Sequence, residues 1–101
     1  MSNYVEWVKK MFKNKAPNGK LNISGERISQ LRMALPGKVS QKKLADKLQL
    51  EGLTMDKNAI QQIESGERFV IDVELKAFAK VFGVTTDELL ASEEDKKDPA
   101  D

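Results

Sequence analysis

Turn-forming residues interrupt this sequence at short intervals, and no other feature constrains its fold as strongly. The interruptions are Pro36-Gly37, Gly52, Ser65-Gly66 and Gly83. Glycine and proline end helices and begin turns, so the segments between them have room only for helices of a few turns. Apolar residues in these segments recur three and four positions apart, as at Ile28, Leu31 and Leu35, which is the spacing of one buried helix face. The sequence therefore predicts an all-α fold of short helices.

Five helices are predicted between residues 24 and 91, and each has a start signal. The predicted caps are Ser24, Ser40, Asp56 and Asp72 for the first four helices, and Thr85 or Thr86 for a short fifth one. The predicted core consists of the apolar residues on the inner faces: Ile28, Leu31, Leu35, Leu44, Ala45, Leu48, Ile60, Ile63, Leu75, Phe78, Ala79, Phe82 and Leu89. One strand-like run, Phe69-Val70-Ile71, is interpreted as an inter-helix turn that adds apolar side chains to the core.

A separate N-terminal region, residues 1–23, is predicted to form an amphipathic helix followed by a basic loop. Its aromatic and apolar residues recur at helical spacing among lysines: Tyr4, Trp7, Val8, Met11 and Phe12. Pro17 and Gly19 then break the pattern. We expect this helix to pack on the main domain or on a second subunit. A helix lying on a membrane surface is the alternative, although the apolar face is short.

Charge is distributed unevenly along the chain. Residues 1–23 contain five lysines and one glutamate, residues 24–91 are neutral overall, and residues 92–101 contain five acidic residues and two lysines. The excess of positive charge in residues 1–23 indicates a polyanionic partner. The acidic segment 92–101 has a proline and no large apolar residue, so it is predicted to be a disordered tail.

The amino-acid composition excludes several kinds of catalytic and metal site and indicates where the protein is located. The chain has no cysteine and no histidine, which removes disulfides, thiolate zinc sites, hydrolytic triads and histidine-based acid–base catalysis. We therefore expect a protein that is not an enzyme and that needs no metal or other cofactor. No apolar run is long enough to span a bilayer, and the first residues lack the pattern of a secretory signal. We expect a cytoplasmic protein with no membrane partner.

Five ordered segments of this sequence resemble the Cro/Xre family of phage-repressor-type helix-turn-helix regulators. The segments are residues 27–32, 40–45, 59–68, 75–84 and 87–90, within a region that covers about two thirds of the chain. Ser40-Gln41-Lys42-Lys43-Leu44-Ala45 alone would be weak evidence, but the ordered set, with Ile63-Glu64-Ser65-Gly66 and Ala79-Lys80-Val81-Phe82-Gly83-Val84 in register, is specific. The resemblance implies a five-helix lambda-repressor-like DNA-binding domain over residues 24–91, here with an additional N-terminal amphipathic helix. Its second and third helices would form the helix-turn-helix.

The third helix is the expected recognition helix. Ile60 and Ile63 would face the core, which leaves Lys57, Asn58, Gln61 and Gln62 free for the major groove. Asparagine and glutamine can make paired hydrogen bonds to adenine, and lysine can reach guanine. The same side chains are also ordinary on a helix that faces only solvent.

The start of the second helix is the expected phosphate-binding region. The resemblance implies a phosphate contact for Gln41, and Ser40 and Lys42 are candidates beside it. Lys38 and Lys43 would add electrostatic attraction to DNA phosphates without sequence preference. Alternatively, they are surface lysines with no role in binding.

Three further residues have expected roles near the recognition helix. Arg68 would contact the DNA backbone, or pair with Glu67 or Asp72. The resemblance implies an ion pair between Arg32 and Glu64, with a structural role. A left-handed glycine at Gly66 would end the helix.

Two connections depart from the family pattern. The segment between the second and third helices, residues 49–55, is longer than the tight turn typical of the family, and so is the connection at residues 34–39. The first difference would change the tilt of the recognition helix or add a backbone contact. Asp56 places a negative charge near the expected DNA, unless its carboxylate acts only as a cap.

The expected function is sequence-specific binding of double-stranded DNA by a homodimer that regulates transcription as a repressor. Dimer contacts would come from the N-terminal helix with Trp7 and Phe12, or from the last helix with Leu89 and Leu90. The alternative is a protein-interaction module, such as an antitoxin-like protein, that binds a regulatory protein partner through the aromatic N-terminal helix.

Overall fold

The computed structural model describes residues 16 and 19–91, and this part of the chain contains five α-helices. The helices are α1 (Gly25–Ala34), α2 (Gln41–Leu50), α3 (Lys57–Ser65), α4 (Asp72–Phe82) and α5 (Thr86–Leu90). Residues 19–91 contain no β-strand, so the prediction of an all-α fold is confirmed. The predicted helix at residues 4–14 and the predicted tail at residues 92–101 lie outside the described residues.

Three of the predicted caps form the expected hydrogen bond with the first turn of their helix. The Ser40 hydroxyl accepts from the backbone N–H of Lys43 at 3.1 Å. At α3, the Asp56 carboxylate accepts from the N–H of Ala59 at 2.8 Å. At α5 it is Thr85, rather than Thr86, that accepts from the N–H of Glu88, at 3.1 Å. Each bond satisfies a backbone donor that the helix itself leaves unpaired.

Two predicted capping bonds are absent, and a nearby side chain bonds a different backbone N–H at each of these helix starts. Ser24 precedes α1 but makes no capping bond, and Asn22 Oδ1 accepts from the N–H of Gly25 instead, at 2.7 Å. Asp72 is the first residue of α4 and not its cap. The helix therefore starts one residue earlier than the sequence predicted, and the carboxylate of Glu74 accepts from the N–H of Ile71, the residue before the helix, at 3.1 Å.

The core lies where the inner faces of the helices meet. Its fully buried apolar residues come from every helix: Ile28, Leu44, Leu48, Ile60, Ile63, Phe78 and Leu89. α3 packs against α1 and α2, while α4 packs against α1, α2 and α5. The run at residues 69–71 is a turn, as predicted, but only Val70 packs against the core, because Phe69 and Ile71 are exposed.

The long connection between α2 and α3 is anchored at both ends. The N–H of Leu53 donates to the carbonyl of Leu48 at 3.0 Å, which closes the end of α2. Met55 is buried in the core immediately before the cap of α3. Glu51 forms an ion pair with Lys80 of α4 at 3.4 Å. The added residues therefore form a defined turn that leads into α3.

Two leucines of α2 provide a matched test of this core. Leu48 is fully buried, whereas Leu50, two residues further on, is 86% exposed. We expect Leu48→Ala to lower the free energy of unfolding by about 2–5 kcal/mol, because it leaves a cavity between packed helices. The same change at Leu50 should alter it by less than about 0.5 kcal/mol. Urea denaturation followed by circular dichroism measures both, and equal effects would contradict the packing described.

Candidate functional site

The outward face of α3 carries four exposed polar side chains. Ile60 and Ile63 are fully buried on the opposite face. The exposed residues are Lys57, Asn58, Gln61 and Gln62. Residues three and four positions apart are neighbours on a helix surface, so these four form one continuous strip. None of their side chains makes a hydrogen bond or ion pair with another residue in the described ranges, and the strip contains no acidic side chain. The four predicted residues therefore lie together on one face of α3, and their side chains are free to bind a partner as far as residues 19–91 are concerned.

The start of α2 presents a second polar group of residues. Ser40, Lys42 and Lys43 are exposed there, and Lys38 is exposed in the turn just before. The Ser40 side chain is already occupied as the helix cap. Gln41 is half-buried, because it turns toward α3. This end of α2 combines free backbone N–H groups with several cations, which is the arrangement that favours an anion.

Glu64 holds α1, α2 and α3 together through its carboxylate. Arg32 Nε donates to Glu64 Oε2 at 2.8 Å, and Arg32 Nη2 donates to Oε1 at 3.1 Å. Gln41 Nε2 also donates to Oε1, at 3.1 Å. A further bond runs from Arg32 Nη1 to the carbonyl of Val39 at 2.9 Å, just before α2. The structure thus contains the predicted ion pair, and Gln41 joins it.

The environment of the pair keeps the Arg32 guanidinium charged. Its pKa is raised above the ordinary value, first by the hydrogen bond to Glu64 and then by attraction to the same carboxylate, while partial burial opposes both. The Glu64 side chain is only 8% exposed. A paired, charge-assisted contact of this kind is strong where water is excluded.

Arg68 pairs with a different residue from those predicted. Its Nη2 and Nη1 donate to the two carboxylate oxygens of Glu74 at 3.0 and 3.1 Å. The predicted partners Glu67 and Asp72 were therefore wrong. Glu74 is buried and also accepts from the N–H of Ile71, so one carboxylate joins the end of the turn to the start of α4. The DNA contact expected for Arg68 stays a prediction.

Asn22 is a residue of this region that the sequence analysis missed. Its amide nitrogen donates to the carbonyls of Ile63 at 3.0 Å and of Arg68 at 2.7 Å. The carbonyl of Ile63 is among the last four of α3, which a helix cannot satisfy by itself. The contacts span 41 and 46 residues, so no local pattern signals them. Asn22 thus links the start of α1 to the end of the predicted recognition helix.

Two glycines make this junction possible. A Cβ at Gly25 would collide with the carbonyl oxygen of Ile63. Gly66 has the predicted left-handed conformation, with φ of 83°, and the side-chain stem of Lys20 lies over it where a Cβ would project. The N–H of Leu21 donates to the carbonyl of Gly66 at 2.8 Å. Residues 20–22 therefore pack on the end of α3, although the sequence analysis assigned them to the N-terminal region.

A cavity of about 30 Å³ beside Gly25 and Gly66 has space for about one water molecule. No cluster of three or more acidic, histidine or cysteine side chains suited to a metal ion occurs among residues 19–91. No helix in this part of the chain combines the length and the apolar character needed to cross a membrane.

Comparisons of the chain with protein-family models, with curated proteins and with solved structures found no match.

The Arg32–Glu64 pair can be tested by a double-mutant cycle. Glu64→Met leaves the largely buried guanidinium without its partner, so we expect a loss of about 3 kcal/mol in the free energy of unfolding. Combining it with Arg32→Met removes the unpaired charge, and the double variant should therefore be more stable than the sum of the single losses predicts. Chemical denaturation of the four proteins measures the coupling. Additive losses would show that the two side chains do not act as a pair.

Asn22 and Asn58 provide a second matched comparison. Asn22→Ala removes three hydrogen bonds, and we expect a loss of about 2 kcal/mol in the free energy of unfolding. Asn58 has no side-chain partner among the described residues, so Asn58→Ala should cost less than about 0.5 kcal/mol. Thermal and urea denaturation measure both. Asn22→Asp keeps the acceptor for Gly25 but points a carboxylate oxygen at the carbonyls of Ile63 and Arg68, so its loss should be at least as large as that of Asn22→Ala.

Proposed function

We propose that this protein binds double-stranded DNA in a sequence-specific manner through a helix-turn-helix formed by α2 and α3, and that it regulates transcription. The observation that carries the proposal is the division of α3 into two faces. Its apolar side is buried and its last turn is bonded to α1 and α2, while the outward side chains of Lys57, Asn58, Gln61 and Gln62 have no partner within residues 19–91. A rigidly held helix with a free polar face is what major-groove recognition requires.

The chemistry of the outward face suits the edges of base pairs. Asparagine and glutamine amides each offer a donor and an acceptor, which matches adenine in the major groove, and lysine donates to guanine. Asp56 lies at the same end of α3, but its carboxylate is bonded to the N–H of Ala59 and lies at the positive end of the helix dipole. The cap therefore limits the repulsion that this charge would exert on phosphates.

The start of α2 supplies contacts to the DNA backbone in this proposal. Lys42 and Lys43 add positive charge beside the free N–H groups of the helix. Gln41 uses one amide hydrogen for Glu64 and has a second for a phosphate oxygen. The same bond to Glu64 fixes the phosphate-binding end of α2 relative to α3. Backbone contacts would then set the register of α3 in the groove.

The resemblance to the Cro/Xre family supports the same assignment. The five helices occur in the order that the family pattern implies, and the ion pair that it implies is present. We therefore also propose that residues 24–91 adopt the lambda-repressor-like arrangement. The anchored turn at residues 51–56 would be a local elaboration of it, leading into α3 through the buried Met55.

Selection of bound duplexes from a random-sequence pool, followed by fluorescence-anisotropy titration, tests the proposal directly. We expect a selected duplex to remain bound between about 50 and 200 mM salt, while binding to unselected duplex falls by orders of magnitude, because only the latter depends wholly on phosphate contacts. Asn58→Ala and Gln62→Ala should each weaken binding to the selected duplex by about 10- to 100-fold and leave unselected duplex unaffected.

Two controls make the result interpretable. Gln30 is an exposed glutamine of α1, so Gln30→Ala should leave both affinities unchanged. Lys42→Ala should weaken binding to selected and unselected duplexes alike and reduce the dependence on salt. If selection yields no preferred sequence and all duplexes bind equally weakly, the outward face of α3 does not read bases. The protein-interaction alternative would then be favoured.

A further inference from the structure

Three exposed apolar side chains lie near the junction of the N-terminal region with the turn after α3. Ile23 is 51% exposed, Phe69 36% and Ile71 56%. The 2.7 Å hydrogen bond from the Asn22 amide to the carbonyl just before Phe69 places residue 23 beside residue 69. Val70 packs against the core, so the residues on either side of it point outward, which is the alternation of an extended segment. We call Ile23, Phe69 and Ile71 the junction patch.

Three exposed carboxylates border the junction patch: Glu26, Glu67 and Asp72. Glu26 lines a small cavity together with Ile23, and the other two carboxylates lie within two positions of a patch residue along the chain. None of the three forms an ion pair within residues 19–91. Lys20 also lines the cavity, so the rim carries more negative than positive charge. Such a surface suits a partner whose apolar face is flanked by positive charges.

The chain that precedes the described residues approaches the junction patch. The N–H of Ala16 donates to the carbonyl of Lys20 at 2.8 Å, and the N–H of Gly19 donates to the carbonyl of Ala16 at 2.8 Å. The chain therefore reverses direction between residues 16 and 20, and the residues before 16 lead back alongside residues 21–23. Phe12 is four residues from Ala16, a reach of at most about 14 Å. A segment that ends at Phe12 can therefore lie on the patch.

We propose that residues 4–14 of the same chain cover the junction patch with their apolar face, which has Trp7 at its centre. These residues lie outside the described ranges, and their sequence combines large apolar residues at helical spacing with lysines. The apolar face would shield the three patch side chains from water. The lysines that flank this face, Lys9, Lys10 and Lys13, would then lie near the acidic rim.

The covalent connection favours this occupant over a second copy of the chain. A segment tethered within a few residues of its site has an effective concentration in the millimolar range, well above that of a second copy at micromolar protein. The same contact would leave no large apolar face of residues 4–14 for a membrane surface. The inference goes beyond the proposed function and does not depend on it.

Trp7 is the only tryptophan of the chain, so its fluorescence reports on this contact directly. We expect a shielded indole in the full chain. Ile23→Asp and Ile71→Asp should each raise the acrylamide quenching constant of Trp7 at least about twofold, because a charge in place of an apolar contact disfavours docking. Circular dichroism checks that each variant is folded.

Leu50→Asp is the matched control. Leu50 is 86% exposed and lies at the end of α2 that leads to the start of α3, whereas the junction patch lies at the other end of α3. The same change from an exposed aliphatic residue to aspartate should therefore leave the quenching of Trp7 unchanged.

The methyl NMR signals of Ile23 give a second measurement that leaves the patch itself intact. An aromatic ring packed on a methyl group shifts the signal of that group. Trp7→Ala should therefore move the Ile23 methyl signals toward those of an exposed isoleucine. The methyl signals of Ile60 and Ile63, which are fully buried in the core, should stay in place.

Three results would overturn the inference. The first is an indole in the unmodified chain that acrylamide reaches freely, or one whose quenching neither patch variant changes. The second is quenching that falls as the protein concentration rises from micromolar to millimolar, which would assign the contact to a second copy. The third is shielding that appears only with anionic phospholipid vesicles, which would indicate membrane binding. No DNA is present in these measurements, so their failure is distinct from failure of the proposed function.

Discussion

The carboxylate of Glu64 is where α1, α2 and α3 are joined, and the arrangement of the proposed DNA-binding surface depends on it. α3 has nine residues, too few to be stable as an isolated helix, so it needs tertiary contacts on its inner side. Ile60 and Ile63 provide apolar burial there, but apolar burial alone does not select one orientation. The directional bonds from Arg32 and Gln41 to one carboxylate do select it. At the end of the same helix, the Asn22 amide adds two more directional bonds, through Ile63 and through the turn at Arg68.

Lysines are concentrated near the starts of α2 and α3 in a domain that is neutral overall. Glu64, Glu74 and Glu51 are all paired with basic residues of the described part of the chain. Lysines at the start of α2 and α3 have no such partners in residues 19–91, and they lie at the positive ends of those helices. The three ion pairs use equal numbers of acidic and basic groups, so the position of these lysines, and not a net charge, is what favours a polyanion at this surface. Attraction of this kind raises association rates and depends on salt.

The connection between α3 and α4 is held by one buried carboxylate. Gly66 ends α3, Arg68 and the buried Glu74 form a two-bond pair, and the same carboxylate accepts from the N–H of Ile71 just before α4. These bonds fix the start of α4 relative to the turn that follows the proposed recognition helix.

The sequence by itself determined the class of fold, the number of helices and most of their ends, because caps, glycine stops and apolar spacing act within four residues of one another. Ser40, Asp56, Thr85 and Gly66 illustrate this. Local pattern failed at Ser24 and Asp72. Asn22 and Glu74 bond other backbone N–H groups at these two helix starts, those of Gly25 and Ile71, and both also make bonds that only the fold determines. The partner of Arg68 also could not be chosen from sequence, since three acidic residues lie within reach and only the fold brings Glu74 into alignment. Only the tertiary structure determined that residues 20–22 pack on the end of α3 and that the side chains of Ile71 and Val73 are exposed. The contacts of Asn22 join segments more than forty positions apart, and the spacing of residues along the sequence does not indicate such contacts.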